Sequence, residues 1–238
     1  MGSGRPPPPA APATHDPKKV AGDYAATLVR GGMVVGLGTG STAVHTVRAL
    51  GRRVRDEGLE VAAVPTSQAT AREAQKQGVR LTTLEDNPRV DLTIDGADEV
   101  DPRLDLIKGR GGALLREKIV AQASRRVVII VDPSKVVGRL GKAPLPVEVL
   151  RFGWMATRAK LERLPSRARL RERDGAPFLS DNKNYIIDCQ FRQIADAEQL
   201  EEDINTIAGV VENGLFVGLA SLVVVGKGDG TVQLLKRP

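Results

Sequence analysis

From Asp16 onward the chain alternates between short apolar runs and longer stretches with helical spacing. The runs MVVGLG (33–38), VAAV (61–64), VDLTI (90–94) and RVVIIVD (126–132) are predicted strands. TAVHTVRALGRRV (42–54), ATAREAQKQG (69–78) and ALLREKIVAQAS (113–124) place their apolar residues three and four apart and are predicted helices. A further helix is expected over KKVAGDYAATLV (18–29), with Asp16 as its cap and Pro17 in its first turn, ending before Gly31-Gly32. A short edge strand is expected around VRLTTL (79–84). GLASLVVVGKGDGTVQLLKR (218–237) adds one or two strands, turned at Gly228-Asp229-Gly230. Strands alternating with helices define an α/β protein built on an open, mostly parallel, Rossmann-like sheet with both faces covered.

The rhythm changes between residues 146 and 217. PVEVLRF, ARLRER, YIIDCQF and VVENGLFV read as strands, and GWMATRAKLERL and AEQLEEDINTIAG as helices. Their order, β-α-β-β-α-β, is that of a ferredoxin-like α+β module. The expected organisation is therefore a tail over 1–15, a Rossmann-like catalytic domain from 16–145 and 218–238, and a ferredoxin-like domain inserted at 146–217. Residues 1–15 are rich in Pro, Gly and Ala, with little to bury, and are expected to be disordered. Asp196 and Gln199 have the spacing of a capping box.

Composition narrows the function classes. No apolar run approaches the roughly 18 residues needed to cross a bilayer, so no membrane role is expected. One cysteine excludes an internal disulfide, and with only His15 and His45 it forms no convincing zinc set. Cys189 lies within YIIDCQF, where a buried strand side chain is expected, and intracellular residence follows. The net charge of +6 favours anionic ligands. The densest basic stretch, Arg167 to Arg173, alternates as a solvated strand face would, and three per cent aromatic residues leave few stacking platforms for single-stranded nucleic acid.

Two loops carry the candidate chemistry. Gly36-Leu37-Gly38-Thr39-Gly40-Ser41-Thr42 leaves a strand and enters a helix, so its backbone N–H groups and hydroxyls suit an anion. It is not a dinucleotide fingerprint: the spacing is G-x-G-x-G, and the next strand ends in Pro65-Thr66-Ser67 rather than in an acid for a ribose. No Gly-Lys-Ser/Thr completes an ATP-binding loop either. The second polar region runs from Asp95-Gly96-Ala97-Asp98-Glu99, through Lys108-Gly109-Arg110-Gly111, to Glu117. Strand ends are the ligand side of such sheets, so Asp95, Asp98, Lys108 and Glu117 are expected to converge. On the residues alone this set also fits other phosphosugar isomerases, acyl- or phosphoryl-transfer enzymes, or a sensor of sugar phosphates.

The combination VGLGTGST (35–42), DGADE (95–99), IKGRGGALLREK (107–118), DPSK (132–135) and LGKAPLPVE (140–148), with SDNKNY (180–185) and GVVENGLF (209–216), resembles the A-type ribose-5-phosphate isomerases. The resemblance runs from about Asp16 to the C-terminus. It implies a cofactor-free, metal-independent aldose–ketose isomerase acting on D-ribose 5-phosphate in the non-oxidative pentose phosphate pathway. It further implies a cytoplasmic homodimer or homotetramer with no nucleic-acid partner. Carried over by residue, it implies substrate contacts at Thr39, Gly40, Ser41, Thr42, Asp95, Gly96, Ala97, Asp98, Lys108, Gly109, Arg110, Gly111, Lys135 and Lys18. Glu117 would be the proton acceptor, aided by Asp95, Asp98 and Lys108. Arg110 and Lys183 stand where some members of the family carry glycine.

Overall fold

A computed structural model describes residues 14–237. The expected disordered tail lies outside the described residues except at its last two positions, where the His15 N–H donates to the Gly228 carbonyl at 2.9 Å.

In chain order the strands of the central sheet are Val34–Leu37 (β1), Ala62–Pro65 (β2), Leu92–Gly96 (β3) and Val127–Val131 (β4). Those of the second sheet are Leu145–Val149 (β5), Ser166–Leu170 (β6), Tyr185–Phe191 (β7) and Val210–Asn213 (β8). The chain then returns to the central sheet with Leu222–Gly226 (β9) and Val232–Leu235 (β10). The helices are Pro17–Ala26 (α1), Ala43–Glu57 (α2), Gln68–Lys76 (α3), Leu114–Gln122 (α4), Trp154–Leu161 (α5) and Ala197–Asn205 (α6).

The six-stranded sheet has the order β10-β9-β4-β3-β1-β2, parallel except for the β9–β10 hairpin. Every residue of β4 and β9 is buried, which is why these runs carry no polar side chain instead of alternating. The strand order reverses between β1 and β3: from β1 the chain moves outward to β2, then returns to build on the other side. Ligand crevices form at such a reversal, outside the carboxyl ends of the strands. Both candidate loops leave from there.

The second sheet is antiparallel in the order β8-β5-β7-β6, with α5 and α6 supplied between its strands, so the inserted ferredoxin-like unit is present as expected. Its core gathers Leu145, Val147, Ile187, Cys189, Leu161 and Ile204. Cys189 is fully buried there, and burial pushes its thiol up to about 12. That is a packing group with no thiolate to offer near neutral pH.

The caps follow the sequence. Asp16 accepts from the Lys18 N–H at 3.0 Å with Pro17 at the first helical position, a contact worth about 1 kcal/mol. Asp196 accepts from the Gln199 N–H at 3.1 Å, but Gln199 turns its own amide to Asp203, so only half of the capping box forms.

Three expected strands change. VRLTTL contributes only a bridge between Leu81 and Ala63, because Thr82 and Thr83 turn to hydrogen bonds with Asn87 and Asp86 that close a turn. ARLRER breaks after Leu170; Glu172–Arg173 instead pairs with Ala176–Pro177 across Asp174-Gly175, both with positive φ, as a two-residue hairpin turn requires. VVENGLFV divides at Gly214, and Leu215–Phe216 leaves the second sheet to pair with Leu106–Ile107.

Lys183 carries a positive φ of 67°, and its N–H closes a turn onto the Ser180 carbonyl at 2.9 Å. A side chain in this region costs about 1–2 kcal/mol, partly offset by the greater backbone freedom that glycine loses on folding. Lys183→Gly is therefore expected to raise the melting temperature by about 2 °C, read by calorimetry. An unchanged or lower value would contradict this account of the turn.

Candidate functional site

The loop after β1 rests on Asp95 at the end of β3. The Asp95 carboxylate accepts from the Thr39 N–H at 3.2 Å and from the Gly96 N–H at 2.7 Å. A Cβ at position 38 would lie 1.9 Å from Asp95 Oδ1, so Gly38 is required by this close approach. The Thr39 hydroxyl turns into a cluster with Thr66, Ser67 and Thr70, at 2.8, 2.8 and 3.2 Å. Thr66 and Ser67, which replaced the ribose-binding acid of a dinucleotide site, thus brace the turn instead. With Thr39 engaged inside the protein, Gly40, Ser41 and Thr42 present the start of α2 to the cavity, and Lys18 from α1 donates to Ser41 Oγ at 3.1 Å.

A small antiparallel sheet brings Lys108 back to Asp95. After Asp98 the chain runs Glu99–Val100, turns, and returns as Leu106–Ile107, whose other edge pairs with Leu215–Phe216. The Asp98 N–H donates to the Ile107 carbonyl, and the Lys108 N–H to the Gly214 carbonyl. A Cβ at Gly214 would stand 2.2 Å from the Lys108 carbonyl oxygen, so the break in VVENGLFV is what lets the backbones meet. Glu99 is not part of the site: it caps the Gly141 and Ala143 N–H groups at 2.8 and 2.5 Å.

Lys108 is buried. Its Nζ donates to the Gly96 carbonyl at 2.6 Å and lies 3.0 Å from Asp95 Oδ2 and 3.3 Å from Glu117 Oε2. The Glu117 contact is an ion pair without hydrogen-bond alignment, and Oε2 has no hydrogen-bond partner among the described residues. Glu117 sits in the first turn of α4, and its neighbours fix the rotation of that helix. Arg116 bonds Asn182 at 2.8 Å, while Lys118 bonds Glu201 and Glu212 at 2.7 Å each. Both anchors lie in the inserted unit, so the second sheet aims Glu117 at the cavity.

Burial dominates the protonation of the two acids. It pushes Glu117 from an ordinary 4.5 to about 8, helped by the Asp95 charge and opposed by Lys108. Burial also raises Asp95, against Lys108 and the two backbone donors. For Lys108 burial acts the other way, but the two carboxylates outweigh it and hold the ammonium above its usual range. Two carboxyls thus share one ammonium. Asp95 accepts two backbone N–H groups and lies nearer the ammonium than Glu117 does, so its ionised form is the better supported, and the resisted ionisation falls to Glu117.

These groups border a cavity of about 390 Å³. It is lined by Lys18, residues 39–42, Gly96, Ala97, Asp98, residues 108–111, Glu117 and Lys135. The structure therefore brings together the expected site residues with one difference: Asp95 lies beneath the cavity instead of on its wall, because its carboxylate fills the space left by Gly38. Asp98 is on the wall, accepting from the Arg110 N–H at 3.0 Å. Arg171 departs from the solvated face expected of the basic stretch. It forks onto Asp188 and reaches the Gly109 and Arg110 carbonyls at 2.9 and 3.1 Å. Charge alternation alone did not separate it from the exposed Arg167 and Arg169; the Asp174-Gly175 turn pair, which ends the strand face near Arg171, is the signal that could have.

Fold and site together define an α/β protein of acid–base character, with a glycine-rich strand-to-helix turn and a buried acid–lysine cluster on one cavity. The family profile of ribose 5-phosphate isomerase A (phosphoriboisomerase A) matches residues 62–230. The ribose-5-phosphate isomerase A of Gloeobacter violaceus is 56% identical over 92% of this chain and 95% of its own length; that of Parvibaculum lavamentivorans is 49% identical over 91% and 96%. Among solved structures, ribose 5-phosphate isomerase from Plasmodium falciparum superposes with a TM-score of 0.89 at 39% identity, covering 92% of this chain and 97% of that one. A D-ribose-5-phosphate isomerase in complex with phospho-erythronic acid gives 0.89 at 38% identity over 92% and 97%. The chain belongs to the ribose 5-phosphate isomerase A family and is an isomerase.

Proposed function

We propose that this protein interconverts D-ribose 5-phosphate and D-ribulose 5-phosphate through an enediolate, in the non-oxidative pentose phosphate pathway. The observation that carries the reading is the Glu117 carboxyl, buried, bordering the cavity, with one oxygen lacking a hydrogen bond and a buried ammonium 3.3 Å away. That is a base with a free lone pair next to a cation for the charge it creates.

Open-chain ribose 5-phosphate places its phosphate on Gly40, Ser41, Thr42 and Lys18. Glu117 takes the proton from C2, the C2 electron pair forms the C1–C2 double bond, and the carbonyl oxygen at C1 gains the negative charge. Lys108 stabilises that oxygen. Return of the proton from Glu117 to C1, with proton transfer between the two oxygens, gives the C2 ketone. Asp98, on the wall, orients the hydroxyls and assists the oxygen-bound protons, including ring opening. Asp95, beneath, acts on the same oxygens through Lys108, whose charge and direction it sets. Lys135 borders the cavity and adds positive charge for the substrate anion. The phospho-erythronic acid bound by a relative is a phosphorylated four-carbon sugar acid, a class that fits this division between phosphate and acid–lysine ends.

The test is an assay with ribose 5-phosphate alone, without added metal or nicotinamide, following ribulose 5-phosphate. Unchanged substrate after prolonged incubation would sink the reading. Because the base ionises with difficulty, kcat/KM is expected to rise about tenfold per pH unit below about 8 and to level off above it. A plateau already reached at pH 6 would contradict the raised Glu117.

The inserted unit also exposes an apolar group: Phe152 is 94% exposed, with Met155 and Leu150 nearby in sequence. We assign the expected self-association, as dimer or tetramer, to this face. Phe152→Glu should lower the mass measured by light scattering, and an unchanged assembly would place the interface elsewhere.

A further inference from the structure

Beyond the anchors that aim Glu117, one further side chain of the inserted unit reaches the 109–111 loop. Arg171 follows β6, and its guanidinium is almost fully committed. Nε donates to Asp188 Oδ2 at 2.9 Å, and Nη2 bonds the other oxygen of the same carboxylate. Nη1 is left to donate to two successive carbonyls, Gly109 at 2.9 Å and Arg110 at 3.1 Å. The bidentate pairing with Asp188 fixes the plane of the fork, so the direction of Nη1 is set before it meets the loop.

In a trans peptide the carbonyl and the following N–H point in opposite directions. Gripping the Gly109 carbonyl therefore turns the Arg110 N–H away from Arg171, and that N–H is the donor to Asp98 at 3.0 Å. Gripping the Arg110 carbonyl turns the Gly111 N–H away in the same manner, and Gly111 lines the cavity. The Gly109 carbonyl also accepts from the Gly112 N–H at 2.9 Å, which closes the turn. Gly109 and Gly112 both have positive φ, so side-chain sterics do little to hold this backbone. Phe178, which Arg171 and Arg173 approach at 5.8 and 4.6 Å, covers the space where a Gly112 side chain would stand.

We propose that Arg171, oriented by Asp188, is a positioning residue for the isomerisation. From the inserted unit it sets two peptide planes of the 109–111 loop, so that one N–H holds Asp98 and the next faces the sugar. This rests on the isomerase reading above. It assigns the inserted unit a part in catalysis distinct from its aim of Glu117. The Arg110 side chain is not needed, since the residue's backbone N–H and carbonyl make both contacts.

The experiment compares the parent chain with Arg171→Ala, Arg171→Lys and Asp188→Asn. The variants are followed by turnover of ribose 5-phosphate and by the amide resonances of the loop in a ¹⁵N-labelled protein. Arg171→Ala is expected to lose about 10- to 100-fold in kcat with little change in KM, because the phosphate end is untouched. The Arg110 and Gly111 amides should shift and exchange faster, while those of Gly40 to Thr42 stay in place. Millimolar guanidinium, but not ammonium, should restore part of the Arg171→Ala rate. Arg171→Lys, which keeps the charge and the fold but not the fork, should be intermediate, as should Asp188→Asn. A kcat within threefold of the parent in a folded Arg171→Ala variant overturns the proposal, as does an Arg171→Lys variant with the parent's full rate, and so do unmoved Arg110 and Gly111 amides. The amide readout stands without turnover, and the parent's own rate tests the isomerase reading separately.

Discussion

Glu117→Gln is expected to bind ribose 5-phosphate and to lose about 10²- to 10⁴-fold in kcat, the usual worth of a positioned general base. Glutamine keeps the size of the side chain and its place in the first turn of α4. The Arg116 and Lys118 anchors that rotate the helix are untouched. What disappears is the oxygen that can take a proton. The same variant has a second signature. Glu117 ionises near 4.5 when exposed in the unfolded chain and near 8 when buried. Between those values the folded state holds the extra proton, so the parent loses stability as pH rises from about 4.5 to 8, by an amount on the order of a few kcal/mol. Glutamine carries no such penalty. The variant should therefore gain in melting temperature over the parent at pH 9 by more than at pH 5. Near-normal turnover would remove Glu117 as the base, and a pH-independent difference in melting would remove the buried acid as the cause.

Lys108→Met should lower kcat by about 10²- to 10³-fold, as removal of an oxyanion donor does. Methionine fills a comparable volume beside Phe216, whose ring centre lies 5.3 Å from Nζ, so packing is largely kept. Loss of the ammonium leaves two buried carboxyls without their shared cation, and both are pushed further toward the neutral form. The rise of kcat/KM with pH should accordingly move upward from about 8. An effect confined to KM would mean that Lys108 only binds the substrate, and an unmoved pH profile would mean that it does not set the acid's ionisation.

Much of this site is legible in the sequence. Gly38, Asp95, Asp98, Lys108 and Glu117 fall at strand-to-helix junctions, and the period of the apolar pattern places those junctions on the ligand edge of a parallel sheet. The dinucleotide reading failed on the spacing of Gly36, Gly38 and Gly40, and the structure gives Thr66 and Ser67 a bracing role in place of ribose recognition. The inserted unit was visible too, because its strands and helices have the same two periods as the rest.

The misses share one cause. Arg171 lies in the same alternating row as Arg167 and Arg169; the register of β6 against β7 sets Arg169 opposite Asp188, yet it is Arg171, past the end of β6, that forks onto Asp188 and reaches over the 109–111 loop. Gly214 looked like part of one strand until its backbone was found against Lys108. Asp95 was expected on the wall with Asp98, but the missing side chain of Gly38 draws it underneath.

Most of the elements, the residue types of the chemistry and the edge of the sheet on which they stand were legible in the chain itself, because these follow from local periodicity and turn chemistry. Tertiary structure alone decided that Glu117 keeps an oxygen without a hydrogen bond, that Asp95 lies beneath the cavity, and that the inserted unit holds both α4 and the 109–111 loop. Those facts depend on burial and on contacts between segments as much as 94 residues apart, such as Lys118 on Glu212. Desolvation and long-range hydrogen bonding leave no periodic mark along the chain.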